Sequence, residues 1–256
     1  MATYKKKDKT AKQLIKDKQQ LQGGDSTTKE VFEGLDTGAN KIEAWILKRQ
    51  KPILIGLAVL VVLALAYTAY TKYILEPKQR EAANELAFPR IYFDQAMELT
   101  VASDSLFKMS LNGDGAKYGF VDIAKEYSNT KAGNLANYYA GIAYYKIADF
   151  KNAIAYLEDY DADDMMMSAT AKGTIGDAFA ETENWDEAYK YYMKAVEQSN
   201  NNLTTPFYLE KAANAAKING NFKEALKLLQ RIKEEFPNSP NARDIEVKIN
   251  EVNIES

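Results

Sequence analysis

"NLANYYAGIAYYKIADFKNAIAYLEDY", Asn134–Tyr160, reads as two helical segments joined by a short polar turn, "ADFKNA". The same design returns twice downstream. "ATAKGTIGDAFAETENWDEAYKYYMKA" (Ala169–Ala195) has "ENWDEA" in the middle, and "PFYLEKAANAAKINGNFKEALKLLQRI" (Pro206–Ile232) has "GNFKEA". Ala153, Ala188 and Ala225 end these turns, 35 and 37 residues apart. Around them Ala, Lys, Glu, Leu and Tyr dominate and β-branched runs are missing, so local propensity favours helix almost throughout. A fixed period of this size is the mark of stacked helix pairs, each needing its neighbours to bury an apolar face.

The pattern resembles the tetratricopeptide repeat, a 34-residue helix–turn–helix unit with small residues at set positions and aromatics between them. Gly141, Tyr144, Ala153 and Leu157 fit the first unit, with Tyr160 where Ala is usual. Gly176, Phe179, Ala188, Tyr192 and Ala195 fit the second. The third supplies Ala213, Ala225, Leu229 and Pro237, and departs at Ala216 and Ile232. Small residues let paired helices approach, and aromatics fill the space between units. A degenerate earlier unit is expected too, because "KEYSNTKAGNLA" echoes "EEFPNSPNARDI" with Asn129 and Asn238 109 residues apart. In it "DGAKYGFVDIAKEY" is the second helix, and residues 80–100 form the long helix leading in. A last helix over about 240–253, with Ile245, Val247 and Ile249 among charges, caps the array. The expected fold is all-α: one membrane helix followed by an α-solenoid.

The resemblance also implies a concave face made by the first helix of each pair. It would carry Leu135, Tyr138, Ile142, Tyr145 and Lys146; then Thr170, Gly173, Asp177, Ala180 and Glu181; then Phe207, Glu210, Asn214, Lys217 and Ile218. The candidate partner-binding residues are Leu135, Tyr138, Ile142, Tyr145, Phe207, Asn214 and Lys217, aromatic and polar groups suited to a peptide. Being covered by the degenerate unit is the alternative for several of them. Tyr138 and Ile142 stand where some repeats of this kind use Lys and Asn to clamp a C-terminal carboxylate, so that activity is not expected. Met165–Met167 opens the second unit, and packing against the preceding unit is expected for most of it. An adaptable partner surface is the other reading.

"KRQKPILIGLAVLVVLALAYTAYTKY", Lys48–Tyr73, is the chain's long apolar run. From Ile53 to Tyr73 the only charge is Lys72, and a helix of that length spans ~30 Å, a bilayer core. Trp45 on one side and Tyr67, Tyr70 and Tyr73 on the other suit the interfaces. Fifty residues precede the run, too many for a cleaved signal peptide. The segment 52–75 is expected to remain as an anchor. Gly56, Leu60, Ala64 and Thr68 form one i,i+4 stripe on it, able to pack on another membrane helix or simply to face lipid.

The run divides two oppositely charged parts. Residues 1–51 hold twelve Lys/Arg and seven Asp/Glu; the rest holds 21 and 29. Basic residues of a short flank stay in the cytoplasm, which places 1–51 there and the domain 76–256 outside, in the periplasm of a bacterium. The first part of the tail is polar, Lys-rich and expected to be disordered. Thr27 with Glu30 matches a capping box, and Val31, Phe32, Leu35, Ile42, Trp45 and Ile46 follow helical spacing. Such a helix suits anionic lipid or a docking partner. The tail lacks the interleaved aromatics of an RNA-binding module, and no specific nucleic acid is expected.

With no Cys and no His, thiolate, triad and His-ligated metal chemistry is excluded. No phosphate loop or dinucleotide fingerprint occurs. "DYDADD", Asp159–Asp164, lacks the calcium-loop Gly and Glu and reads as a solvated interrepeat loop. No catalytic residue, metal site or cofactor is expected, and the chain reads as a binding protein rather than an enzyme.

The whole layout, a short tail, one anchor and a repeat domain, resembles the YfgM family. The resemblance implies an inner-membrane accessory subunit of the SecYEG translocon, working with a PpiD-like periplasmic foldase on newly translocated client polypeptides. A different class is an envelope scaffold for outer-membrane or secretion-machine assembly. "EEFPNSPNA" has the look of outer-membrane assembly lipoproteins, but the lipid-bearing cysteine of that group is missing.

Overall fold

The computed structural model describes residues 48–99, 103–161, 164–198 and 200–256. The readings on the tail, from Thr27 to Ile46, lie outside the described residues. The chain falls into two compact units, divided between Ala69 and Tyr70.

In the first unit, helix α1 (Gln50–Tyr70) buries none of its residues. Among the described residues there is one helical stretch long and apolar enough to cross a membrane. Pro52 sits in its first turn, where its missing N–H costs nothing. Gly56, Leu60, Ala64 and Thr68 all lie on it and are all exposed; a methyl added at Gly56 would meet nothing within 4 Å.

The second unit opens with a π-helical turn, Thr71–Leu75. Helices follow: α2 (Glu76–Glu85), α3 (Ala87–Glu98), α4 (Asp104–Asn112), α5 (Phe120–Glu126), α6 (Lys131–Lys146), α7 (Phe150–Glu158), α8 (Met165–Glu181), α9 (Trp185–Gln198), α10 (Thr204–Ile218) and α11 (Phe222–Glu235). A 3₁₀ turn (Pro240–Ala242) and α12 (Ile245–Glu255) end it. No strand occurs among the described residues. The three regular units are α6–α7, α8–α9 and α10–α11, with α12 packed on α11.

Each helix pair turns by the same device. The last residues of α6, α8 and α10 are followed by Ala148, Glu183 and Gly220 in the left-handed region, with φ of 60°, 58° and 74°. The next residue donates its N–H back across the turn: Asp149 to Tyr144 O, Asn184 to Phe179 O and Asn221 to Ala216 O, at 2.9, 2.9 and 2.8 Å. This is a Schellman closure of the helix end. The same three side chains then cap the second helices, accepting from the N–H groups of Asn152, Glu187 and Glu224.

The small positions do what the repeat pattern requires. Ala153, Ala188 and Ala225 are fully buried. A methyl at Gly141 would run into Leu157, and one at Gly176 would lie 2.7 Å from the Tyr192 ring. The helices of a pair meet there because the larger partner fills the glycine's place. Tyr144 stacks on Tyr156 and Phe179 on Tyr191, at 5.4 and 5.5 Å between ring centroids.

The front of the domain departs from expectation. The expected lead-in helix over residues 80–100 ends at Glu98 and is interrupted at Leu86, where the backbone stays helical but one hydrogen bond of the ladder is missing. Pro89 cannot donate to Glu85, and its ring crowds that carbonyl. The expected helix at "DGAKYGFVDIAKEY" shrinks to Phe120–Glu126. Gly113 has φ 71°, and Asp114 folds the loop by accepting from Ala116 and Lys117 N–H. Phe93, Phe107, Phe120 and Tyr139 fill the resulting irregular space as a ring cluster. The expected helix at 240–253 is likewise interrupted, and Val247 stays exposed while Ile245 and Val252 are buried.

Candidate partner-binding groove

The first helices α6, α8 and α10 stand side by side, and their exposed sides frame an open cavity of about 270 Å³. Tyr145, Asp177, Ala180, Glu181 and Asn214, all expected on the concave face, line it. Trp185, Tyr192 and Lys211 complete it, and the expectation missed them. Trp185 opens a second helix, where Phe150 and Phe222 stand in the other units; that recurring aromatic was the available signal.

Asp177 organises the floor. Its Oδ1 accepts from the Tyr192 hydroxyl at 2.7 Å and from Lys211 Nζ at 2.6 Å. The Lys211 ammonium also lies 4.9 Å from the Phe207 ring centroid, a cation–π distance. Burial pushes the Tyr192 phenol well above the ordinary tyrosine range, with the Asp177 carboxylate adding to it. Burial, then the carboxylates of Asp177 and Glu181, push Tyr145 up to about 12. The groove thus sets two carboxylates, Asp177 and Glu181, and one ammonium, Lys211, among aromatic walls.

The remaining candidates divide. Leu135 is half-buried against the core. Tyr138 is half-buried between the rings of Tyr139 and Tyr160, and burial pushes it up to about 12. Ile142 is 9% exposed and belongs to the core, so the structure does not offer it to a partner. Gly173 lies beneath the Tyr208 ring of the next unit. Phe207 is 43% exposed. Asn214 and Lys217 also line a smaller cavity, about 160 Å³, between α10 and α12. There Lys217 pairs with Glu255 at 3.3 Å, and Lys248 bridges Glu210 and Asp244, each at 2.9 Å. α12 thus covers this side of α10.

Met165 and Met166 are exposed, at 71% and 55%, so most of that run does not pack as expected. Only Met167 turns inward, its sulfur accepting from the Tyr160 hydroxyl at 3.6 Å. Asp164 caps α8 through Met167 N–H, and Asn134 clasps the backbone of Asp161 from both sides. The described part of "DYDADD" is therefore structural. Among the described residues no acidic group of three is placed to hold a metal ion.

The family model of the tetratricopeptide repeat matches residues 208–239. The chain carries a tetratricopeptide repeat. The matched stretch is α10, α11 and the turn after them, the third unit read from the sequence. No curated protein matches the chain. Among solved structures, a similar one is a crystal structure of nearly identical TPR-like repeats from Podosopora anserina, described as a kinesin light chain. It is 13% identical, with a TM-score of 0.45, over 68% of this chain and 85% of that one. The repeat and its all-helical setting indicate a role in binding other proteins.

Proposed function

We propose that this is a membrane-tethered adaptor that holds polypeptide segments in the groove formed by α6, α8 and α10, and that it performs no catalysis. The observation that carries the reading is the open groove framed by the first helices of consecutive pairs, with Tyr145 from α6 and Trp185 and Tyr192 from α9 as its aromatic walls. Such surfaces bind extended or helical segments through a few aromatic anchors and polar contacts. The long apolar α1 supports the tether, and the charge bias of the flanking sequence is the ground for proposing a cytoplasmic tail and a repeat domain outside. By its resemblance to the YfgM family, the chain would sit in a bacterial inner membrane beside the SecYEG translocon. It would work with a PpiD-like foldase on emerging chains, and the stripe Gly56, Leu60, Ala64 and Thr68 would pack on a translocon helix.

Photo-crosslinking residues at Phe207 and Gly56 of the full-length protein, in its native membrane, test this. Phe207 is expected to capture polypeptide where the exposed Lys190 does not, and Gly56 to capture a translocon subunit. Equal yields at Phe207 and Lys190 would remove the groove from the reading. Enrichment of outer-membrane assembly proteins in place of SecY would replace the translocon role by envelope scaffolding.

A further inference from the structure

The groove contains one charge that nothing in the described fold answers. Asp177 is neutralised by Lys211 and bonded by Tyr192. Glu181, one turn further along α8, is exposed and its carboxylate makes no hydrogen bond or ion pair among the described residues, yet it lines the same cavity. Around the two carboxylates the walls are aromatic: Tyr145 from α6 and Trp185 from the start of α9. The Trp185 indole N–H likewise has no hydrogen-bond partner among the described residues.

We infer that this part of the groove receives a cationic side chain, arginine in preference to lysine, from the bound polypeptide. The inference rests on the reading of the groove as a polypeptide site. A carboxylate beside aromatic faces attracts a cation twice, through the ion pair and through the ring quadrupoles. A guanidinium gains more than an ammonium, because it is planar, weakly hydrated and able to take a carboxylate with two donors. An anionic ligand is disfavoured, since Lys211, the cation in the cavity lining, is committed to Asp177. Tyr145 is pushed up first by burial and then by these two carboxylates, which agrees with their facing the same space. The domain already uses this chemistry internally: the Arg90 guanidinium lies 5.3 Å from the Tyr139 ring centroid and Lys194 Nζ lies 3.9 Å from that of Tyr191.

Trp185 and Trp45 are the chain's two tryptophans, so W45F makes emission report on the groove. Full-length W45F protein in detergent micelles would be titrated with acetyl-Ser-Gly-Ala-Leu-Arg-Ala-Gly-Ser-amide. The counterparts carry citrulline, lysine or glutamate in place of arginine. The arginine peptide is expected to change Trp185 emission saturably and to bind at least about fivefold more tightly than the citrulline peptide, with the advantage falling as salt rises. Glu181→Gln should abolish that advantage with an unchanged thermal midpoint, and Glu181→Lys should shift preference to the glutamate peptide. Equal affinity for arginine and citrulline, a preference surviving Glu181→Gln, or no saturable binding by any peptide would each overturn the inference. Crosslinking from Phe207 judges the broader reading independently: capture there without arginine preference sinks this inference alone.

Discussion

The front and the rear of the repeat domain solve one packing problem with different residues. Both cores carry buried alanines, but the core around α3–α7 adds a run of rings: Phe93, Phe107, Phe120 and Tyr127 are buried, with Tyr139, Tyr144 and Tyr156 packed on them. The core around α10–α12 sets Ala212, Ala213, Ala215, Ala216 and Ala225 under Leu228, Leu229 and Ile232, with Tyr208 and Phe236 as its buried rings. Small residues at fixed spacing bring helix axes close and leave one way to stack. Where that spacing fails, short helices and loops leave irregular volume, and large rings fill it. The two regions also share a turn. Thr130 and Ser239, 109 residues apart, are both buried, both extended at ψ near 156°, and each donates its N–H to the aromatic residue three before it. Thr130 Oγ1 donates to Tyr127 O and accepts from Gly133 N–H, whereas Ser239 Oγ is buried with no partner among the described residues. The front turn caps a long helix; the rear turn enters a 3₁₀ turn through Pro240.

The sharpest way to break the comparison is to empty one core at a time. Phe120 is fully buried, so Phe120→Ala should cost about 3–5 kcal/mol, against about 2–4 for Leu229→Ala. Urea unfolding measures both. Hydrogen exchange should show α4 and α5 opening before α10 and α11 in the first variant and the reverse order in the second. Equal loss across the domain in both would mean the two cores are one.

Alkali separates the regions next. Tyr127, Tyr138, Tyr145 and Tyr191 are held up at about 12, chiefly by burial. An unfolded tyrosine ionises near 10. Because the folded values are raised, this stabilisation is complete below pH 10 and is lost as pH rises through 12. Thermal midpoints should be flat from about pH 7 to 9.5 and fall steeply above pH 10. No tyrosine follows Tyr208, so exchange in α11 should be the last to respond.

The paired turns give a smaller effect with opposite signs. Thr130→Ala should destabilise by about 0.5–2 kcal/mol, through loss of the cap. Ser239→Ala should be neutral or stabilise by up to ~1 kcal/mol, since it removes an unsatisfied hydroxyl. Calorimetry of the two variants checks the contrast, and a loss of stability in Ser239→Ala would show that its hydroxyl has a partner. Smallest is the left-handed turn residue. Glu183→Gly should stabilise by about 0.5–1 kcal/mol and Gly220→Ala should destabilise by a similar amount, provided both turns keep φ near 60–75°.

The three regular units, α6 to α11, were the legible part. Glycines and alanines recur in register with Ala153, Ala188 and Ala225, and each lies where a pattern of small residues placed it. The front was less so, because its order depends on Pro89, Gly113 and a ring cluster whose members keep no fixed spacing. The turn echo between Asn129 and Asn238 did carry across both. At the groove, Tyr145, Asp177, Glu181 and Asn214 followed from their register on the first helices. Trp185 and Tyr192 did not, since they come from the second helix of a pair and enter the groove only through the angle between helices. Ile142 shows the converse: its register faces the groove, yet burial takes it.

Tyr191 to Glu158, Lys211 to Asp177, Asn219 to Asp186 and Tyr189 to Glu224 each join residues 33 to 35 positions apart. Every such tie reaches one unit back and no further. Under tension applied at Ser256, every junction carries the same load but is held only by its own ties, so the array should yield in steps, last pair first. A domain assembled this way behaves mechanically as a chain of latches, and it can lend length to a pulled polypeptide without surrendering its earlier units.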